Sequence, residues 1–561
     1  MLRARESGFS ERAAVGDCNR RLLGTSTMRS SYADPMEVPL SPLEFMRRAR
    51  RLYADREALV DGELRLTYRQ LFDRCDLWST VLQRRFGVGK GDRVASISSN
   101  THGQFESFYA VSQIGGVVVP LNYRLIADDF AYILQHSGAK VVCVHPDYIE
   151  MVDSVRDRLP SVEHFVAFEG GARPGWLDYE ALISETRRAD IERPSIDETE
   201  LLSINYTSGT TARPKGVMVT HRNAYLCAVG MLVHVHMSPA DRYLWTLPMF
   251  HGNGWSFIWT VTAVGGAHVC LRHVDPASIF GALSRESITM LCAAPTVLIS
   301  IANAPEELRR GAPRGIRVLT AGAPPAAATI GRVEGELGWD VTHVYGLTET
   351  PSLFSVCEVR PEHVNLPPHE RAVIKARQGV AFVTAGEMLV VDESGKEVPH
   401  DGATVGEIVM RGNAVMKGYF EDPEATAAAI RDGYLHSGDA AVVHPDGFVE
   451  VKDRIKDVII SGGENISSIE IEGVLLAHAA VQEVAVVGMP HEKWGEAPNA
   501  FVVLRAGAVA TAEELRAFVR ERLAHFKCPQ AFHFVAELPK TATGKVKKFV
   551  LRGGRAGIAT Q

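Results

Sequence analysis

The chain has 561 residues, 46% hydrophobic and 23% charged, with 60 Lys and Arg against 67 Asp and Glu. That length supports roughly two to four domains with large buried cores and excludes a disulfide-stapled miniprotein. A net charge of −7 offers no global attraction to nucleic acid or anionic lipid, so a phosphate ligand has to be met by a few placed groups. The eight cysteines (18, 75, 143, 227, 270, 292, 357 and 528) stand singly, without a CxxC pair or a His at metal-ligand spacing. They read as reduced thiols of a cytoplasmic protein.

In chain order, residues 1–35 come first, with six Arg and three acids in the first thirty and no apolar periodicity. They are expected to be a disordered or mis-assigned extension, with Met28 or Met36 as the start. From 36 to 455, the β-branched runs VASIS (94–98), VVVPL (117–121), VVCVH (141–145) and VLTAG (318–322) alternate with helix-length pieces. This pattern predicts an α/β class with parallel sheets covered on both faces.

Residues 243–271 run 29 positions without a charge, enough to cross a bilayer. Pro248, Gly252, Gly254, Gly265, His251 and His268 would break a helix and strand polar groups in lipid, so the expectation is strand, loop, buried helix and strand. Near 440, AAVVH, Asp446-Gly447 and FVEVKD predict a hairpin. A smaller α+β unit follows, with strands in EVAVVGM (483–489) and AFVVLR (500–505) and a helix opened by the capping box Thr511 and Glu514. That helix is expected to present Leu515, Phe518, Val519, Leu523 and Phe526 on one face.

The strongest local signal is YTSGTTARPKG at 206–216, directly after the run LLSIN. Hydroxyls beside Gly209, then Lys215, supply the donors and the cation that a polyphosphate requires. A Walker A loop would need Ser or Thr after the lysine, and here Gly216 follows. The string resembles the phosphate loop of the AMP-forming adenylating enzymes: acyl-CoA synthetases, peptide-synthetase adenylation domains and luciferases. Four further strings resemble that superfamily's motifs in its order: YGLTET (345–350), YLHSGD (434–439), DRIKD with SGGEN (453–465) and PKTATGK (539–545). The resemblance spans roughly 40–552. It implies a large domain of stacked α/β sheets with a β-barrel-like part over 36–455, and a small mobile α+β domain over 456–561.

The resemblance also implies an ATP-dependent acid:CoA ligase. A carboxylate is a poor electrophile, and attack on the α-phosphorus of ATP gives it AMP as a leaving group before CoA takes the acyl group. Negative charge concentrates on phosphate, which cations and placed donors stabilise. By resemblance, Thr207, Ser208, Gly209, Thr210, Thr211 and Lys215 cradle the phosphates. Thr348 meets the α-phosphate, and Thr207 and Glu349 hold Mg²⁺. Tyr345 and Gly346, with Gly322 and Ala323, wall the adenine. Asp439 takes the ribose, Arg454 is a second ribose or phosphate contact, and Lys545 drives adenylation. Lys456 falls at the hinge of the small domain, Gly462 and Gly463 line the thiol's path, and Asn465 stands near the nucleotide where one long-chain branch has Trp.

On the acyl side, His251 resembles the residue beside the carboxylate, and Trp255 a gate tryptophan of long-chain relatives. This region resembles the subgroup of medium- and long-chain fatty acyl-CoA synthetases, methylthiopropionate-CoA ligases and plant acyl-activating enzymes. It implies a role in fatty acid metabolism on a medium- or long-chain acid. The alternatives are an acyl-AMP ligase loading a carrier protein, or a CoA ligase for a small thioether, aryl or alicyclic acid. The expected partners are a small-molecule carboxylic acid, ATP and CoA, with no nucleic acid, no integral membrane segment and room for a homodimer.

Overall fold

Long runs of β-branched residues between helix-length segments force the chain into layers, because such strands must be covered on both faces. The computed structural model describes residues 37–170, 173–207, 213–462, 464–541 and 545–553. The expected extension 1–35 lies outside them. Two large sheets dominate, one of eight strands and one of nine. In the first, the strands Arg93–Ile97, Val117–Leu121, Val141–Val144, His164–Ala167 and Leu201–Tyr206 run parallel, and Gly216–Thr220 and Gly418–Tyr419 add an antiparallel edge. In the second, Arg242–Trp245, Ala267–Cys270, Met290–Ala293, Arg317–Thr320 and Asp340–Tyr345 run parallel. The expected parallel sheets therefore hold at the centre and turn antiparallel at the margins.

The two sheets enclose the main core. Helix His102–Ser112 is buried along its whole length, and its Phe105, Phe108 and Tyr109 share one core with Val118 and Cys143 of one sheet and Tyr243 and Met290 of the other. It buries His102, Gln104 and Glu106 along with its apolar residues, and Glu106 is paired there with Arg74 at 2.7 Å. Separate cores cover the outer faces. The uncharged run 243–271 forms strand, loop, the buried helix Phe257–Val264 and strand Ala267–Cys270, as expected. No helix among the described residues is long and apolar enough to cross a membrane.

A third sheet, antiparallel and five-stranded, spans residues 387–454 and holds the expected hairpin, Tyr434–Val443 against Val449–Arg454. It stands where the barrel-like part was expected. A fourth sheet pairs Val481–His491 with Gly495–Leu504 and carries cores of its own between residues 459 and 551. Pro39–Gln561 nonetheless cluster as one compact unit.

The capping box at Thr511 opens helix Ala512–Arg520 as expected, but the helix stops six residues short of Phe526. Leu515 and Val519 are buried, whereas Phe526 is 48% exposed. Leu523 still donates its N–H to Val519 O, and Ala524 then turns extended, which ends helical continuation ahead of the short turn His525–Lys527. Seven cysteines are described; all are free, and all but Cys270 are buried.

Candidate functional site

Three candidate segments follow the carboxyl ends of strands in the large sheets: Thr207 after Leu201–Tyr206, Gly322 after Arg317–Thr320, and the YGLTET turn after Asp340–Tyr345. Ligands of open α/β sheets collect at such ends. The YGLTET turn is tight. Phe354 N–H donates to Tyr345 O at 2.7 Å, and Thr350 Oγ1 accepts from Leu347 N–H at 2.9 Å. A Cβ on Gly346 would fall 2.3 Å from Ser352 O, so only glycine lets the chain double back here. The turn leaves Thr348 and Glu349 half-buried.

Tyr345 O–H donates to Asp439 Oδ2 at 2.7 Å, and Arg454 Nε pairs with Asp439 Oδ1 at 2.7 Å. Asp439 and Arg454 stand directly opposite in the hairpin, which fixes their pairing through the backbone register. Asp439 is 4% exposed. Each of its oxygens has one partner and keeps a second lone pair for a hydroxyl. Burial, then the Asp439 charge, hold the Tyr345 phenol well above its ordinary range, so it remains a donor.

Lys545 lies within electrostatic reach of this cluster. Its ammonium feels Arg454, Asp439, Asp457 and Lys456. Loss of water in the crowded cleft, then the Arg454 guanidinium, pull it down to about 8. The side chain keeps open surface, so the ammonium stays mostly protonated at neutral pH. Its backbone is held by Thr541 N–H to Lys545 O at 2.7 Å. The following helix, Lys548–Arg552, is pinned by Lys548 to Glu472 at 2.8 Å and Arg552 to Asp457 at 2.7 Å.

The phosphate-loop ends are brought together by Thr207 N–H to Lys215 O at 3.0 Å and Lys215 N–H to Thr207 Oγ1 at 3.3 Å. Ser208, Gly209, Thr210 and Thr211 lie outside the described residues. Lys215 Nζ sits 4.8 Å from the centroid of the Tyr419 ring, and Tyr419 O–H donates to Glu349 Oε1 at 2.7 Å. The predicted residues Lys215 and Glu349 thus share one neighbour, Tyr419, which sequence reasoning missed: no spacing rule brings position 419 to position 349. Thr207 and Glu349 offer only oxygen donors, the chemistry that suits Mg²⁺.

The acyl-side segment is strained. Residues 252–256 all have positive φ, at 49°, 48°, 57°, 50° and 66°. This is one turn of left-handed helix, which costs each non-glycine residue ~1–2 kcal/mol. Asn253 is held by donating to Ser203 Oγ at 2.7 Å. Trp255 is 3% exposed and packs into the main core. Burial lowers the His251 imidazole to about 4, leaving it neutral.

The other predicted residues stand apart. Gly322 is exposed with open space above its Cα, and Ala323 is half-buried beside it. Lys456 is exposed in the turn Ile455–Asp457. Asn465 is exposed opposite Ile460, and Gly463 lies outside the described residues. Gly462 has φ +61°, and a Cβ there would meet the Trp494 ring at 2.8 Å. Trp494, also missed from sequence, covers this glycine. Among the described residues, Asp61, His102 and Glu169 have metal-like spacing. Arg272 already pairs with both carboxylates at 3.3 and 2.7 Å, and both His102 nitrogens are engaged, by Asp61 at 2.8 Å and Glu180 at 3.0 Å.

The fold is that of the adenylating enzymes. Over 92% of this chain and 98% of the other, it superposes on the anthranilate CoA ligase AuaEII in complex with anthranoyl-AMP, with a TM-score of 0.84 and 26% identity. The AMP-binding enzyme profile matches residues 45–420, and the AMP-binding enzyme C-terminal domain profile residues 470–545. The chain belongs to this AMP-binding enzyme family and is an acid–thiol ligase. It is 43% identical to 4-hydroxybutyrate–CoA ligase 2 of Metallosphaera sedula, over 91% of this chain and 94% of that one. It is 39% identical to the peroxisomal benzoate–CoA ligase of Arabidopsis thaliana, over 93% and 94%.

Proposed function

We propose that the protein makes the CoA thioester of a small carboxylic acid, between a four-carbon chain and a single aromatic ring, by way of an acyl-adenylate. The observation that carries the chemistry is the Tyr345–Asp439–Arg454 cluster, with the Lys545 ammonium within electrostatic reach of it. The smaller acid is supported over the medium- or long-chain one by relatives that act on 4-hydroxybutyrate and benzoate. Burial of Trp255 supports it too, since a long alkyl chain following that wall would have to displace the ring.

Asp439 accepts ribose hydroxyls on its spare lone pairs, and Tyr345 fixes the carboxylate that does so. Neutral His251 donates one N–H to the acid without neutralising the attacking oxygen. That oxygen attacks the α-phosphorus, the bond to pyrophosphate breaks, and Lys545 and Lys215 meet the charge that builds on the phosphate oxygens. Thr348 donates to the α-phosphate. Thr207 and Glu349 would hold Mg²⁺, which when bound neutralises phosphate charge. The small unit, 456–561, then turns about Lys456, removing Lys545 and bringing Gly462 and Gly463 to the pantetheine path. The CoA thiolate displaces AMP from the acyl carbon.

An acid panel from C2 to C18 with aryl acids, scored for AMP and thioester, tests this reading. A kcat/KM maximum between C4 and benzoate is expected; a maximum at C12 or beyond, or no thioester with any acid, overturns it.

A further inference from the structure

Glu349 is gripped at both ends by one short segment. Its backbone oxygen accepts from Met416 N–H at 2.7 Å, and its Oε1 accepts from Tyr419 O–H at 2.7 Å. That segment is itself fastened to the strand leaving the phosphate loop. Lys417 N–H donates to Met218 O at 3.0 Å, Phe420 N–H donates to Gly216 O at 2.7 Å, and Tyr419 stands opposite Val217. The face of the Tyr419 ring lies 4.8 Å from Lys215 Nζ, within the range of a cation–π contact. We propose that Tyr419 is a positioning residue for nucleotide activation: its hydroxyl holds the Glu349 carboxylate in one rotamer, and its ring seats the Lys215 ammonium.

The chemistry follows from the donor inventory. A carboxylate with Oε1 held by a phenol cannot spin freely, so Oε2 points one way. Residues that fix a ligating carboxylate in this manner control metal affinity as strongly as many ligands do. The ring contact is a separate function of the same side chain, and it ties Lys215 to the strand pair that also carries the hydroxyl. The carboxylate half of the proposal rests on the reading of Glu349 as a metal-holding residue.

Tyr419→Phe removes the hydroxyl and keeps the ring; Tyr419→Leu removes both. Mn²⁺ serves as the probe because it takes the same hard oxygen ligands as Mg²⁺. Free Mn²⁺ is followed by electron paramagnetic resonance during titration of the full chain with α,β-methylene-ATP, and metal-free binding of that analogue is measured separately by calorimetry. Tyr419→Phe is expected to weaken Mn²⁺ binding ~10-fold with metal-free analogue affinity unchanged within twofold. Tyr419→Leu is expected to weaken Mn²⁺ binding equally and the metal-free analogue severalfold. Glu349→Gln separates the two readings. Loss of Mn²⁺ affinity in Glu349→Gln with wild-type affinity in Tyr419→Phe overturns the positioning role alone. Wild-type Mn²⁺ affinity in both variants overturns the metal role of Glu349 and the proposal together.

Discussion

Raising the pH should switch off adenylation before it touches thioester formation, because the Lys545 ammonium titrates near 8. The cation is needed while negative charge builds on the phosphate, so activity belongs to the protonated form and is lost as pH rises through that value. With a pKa of about 8, one pH unit above it leaves about one lysine in eleven charged, and the adenylation rate falls to roughly a tenth of its plateau. The limb should differ between kinetic parameters. In kcat/KM for ATP it reports the free enzyme and should lie near 8; in kcat the bound triphosphate favours the ammonium and should move the limb upward. ATP–pyrophosphate exchange from pH 6.5 to 9.5 reads the first half-reaction, and thioester formation from supplied acyl-adenylate reads the second. Lys545→Arg keeps its charge throughout and should abolish the limb at a reduced plateau. Lys545→Ala should lose ~10²–10³ in exchange, the size of one transition-state donor, while the second half-reaction changes little. Persistence of the limb in Lys545→Arg, or equal loss of both half-reactions in Lys545→Ala, would refute the assignment.

Two further predictions concern stability. Burial alone would lower the His102 imidazole, but hydrogen bonds to Asp61 and Glu180 outweigh it and raise it to about 10. Its stabilisation is therefore complete below the ordinary histidine value and fades as pH climbs toward 10; His102→Gln should cost ~3–5 kcal/mol near pH 6 and much less at pH 10, read from urea midpoints. Ser256, at φ +66° in the left-handed turn, carries strain that glycine lacks, so Ser256→Gly should gain about 1 kcal/mol in the same assay; a loss would show that the turn is held by contacts of the serine side chain.

What the sequence reveals follows the range over which each signal acts. Val117–Leu121 is found to the residue, and the Thr511 cap is found with both of its hydrogen bonds, because a strand run and a capping box are local. The expected helix beyond Arg520 is not formed: Ala524 turns extended, and the apolar period at Leu523 and Phe526 continues without the helix. Tyr419 and Trp494 are invisible because their roles arise from partners 70 and 32 positions away, Glu349 and Gly462. The left-handed turn at 252–256 is hidden for another reason: Asn and Gly hint at positive φ, but a tryptophan there contradicts every propensity. Such contradictions mark sites where tertiary packing overrules local preference.

The charges around Lys545 explain why a mobile small unit suits this chemistry. Arg454 and Lys456 oppose the ammonium, and the two acids that favour it are already shared. Asp439 serves Tyr345 and Arg454, and Asp457 serves Arg552. Among the described residues Lys545 therefore has no undivided counter-charge in the cleft, so nothing there offsets the loss of water that, followed by the Arg454 charge, depresses its titration. A triphosphate supplies the missing negative charge and draws the lysine in; release of pyrophosphate removes most of it and makes the same position unfavourable. The proposed rotation about Lys456 thus gains a driving force from the reaction itself, since a ligand shifts a conformational equilibrium only through differential affinity for its two states.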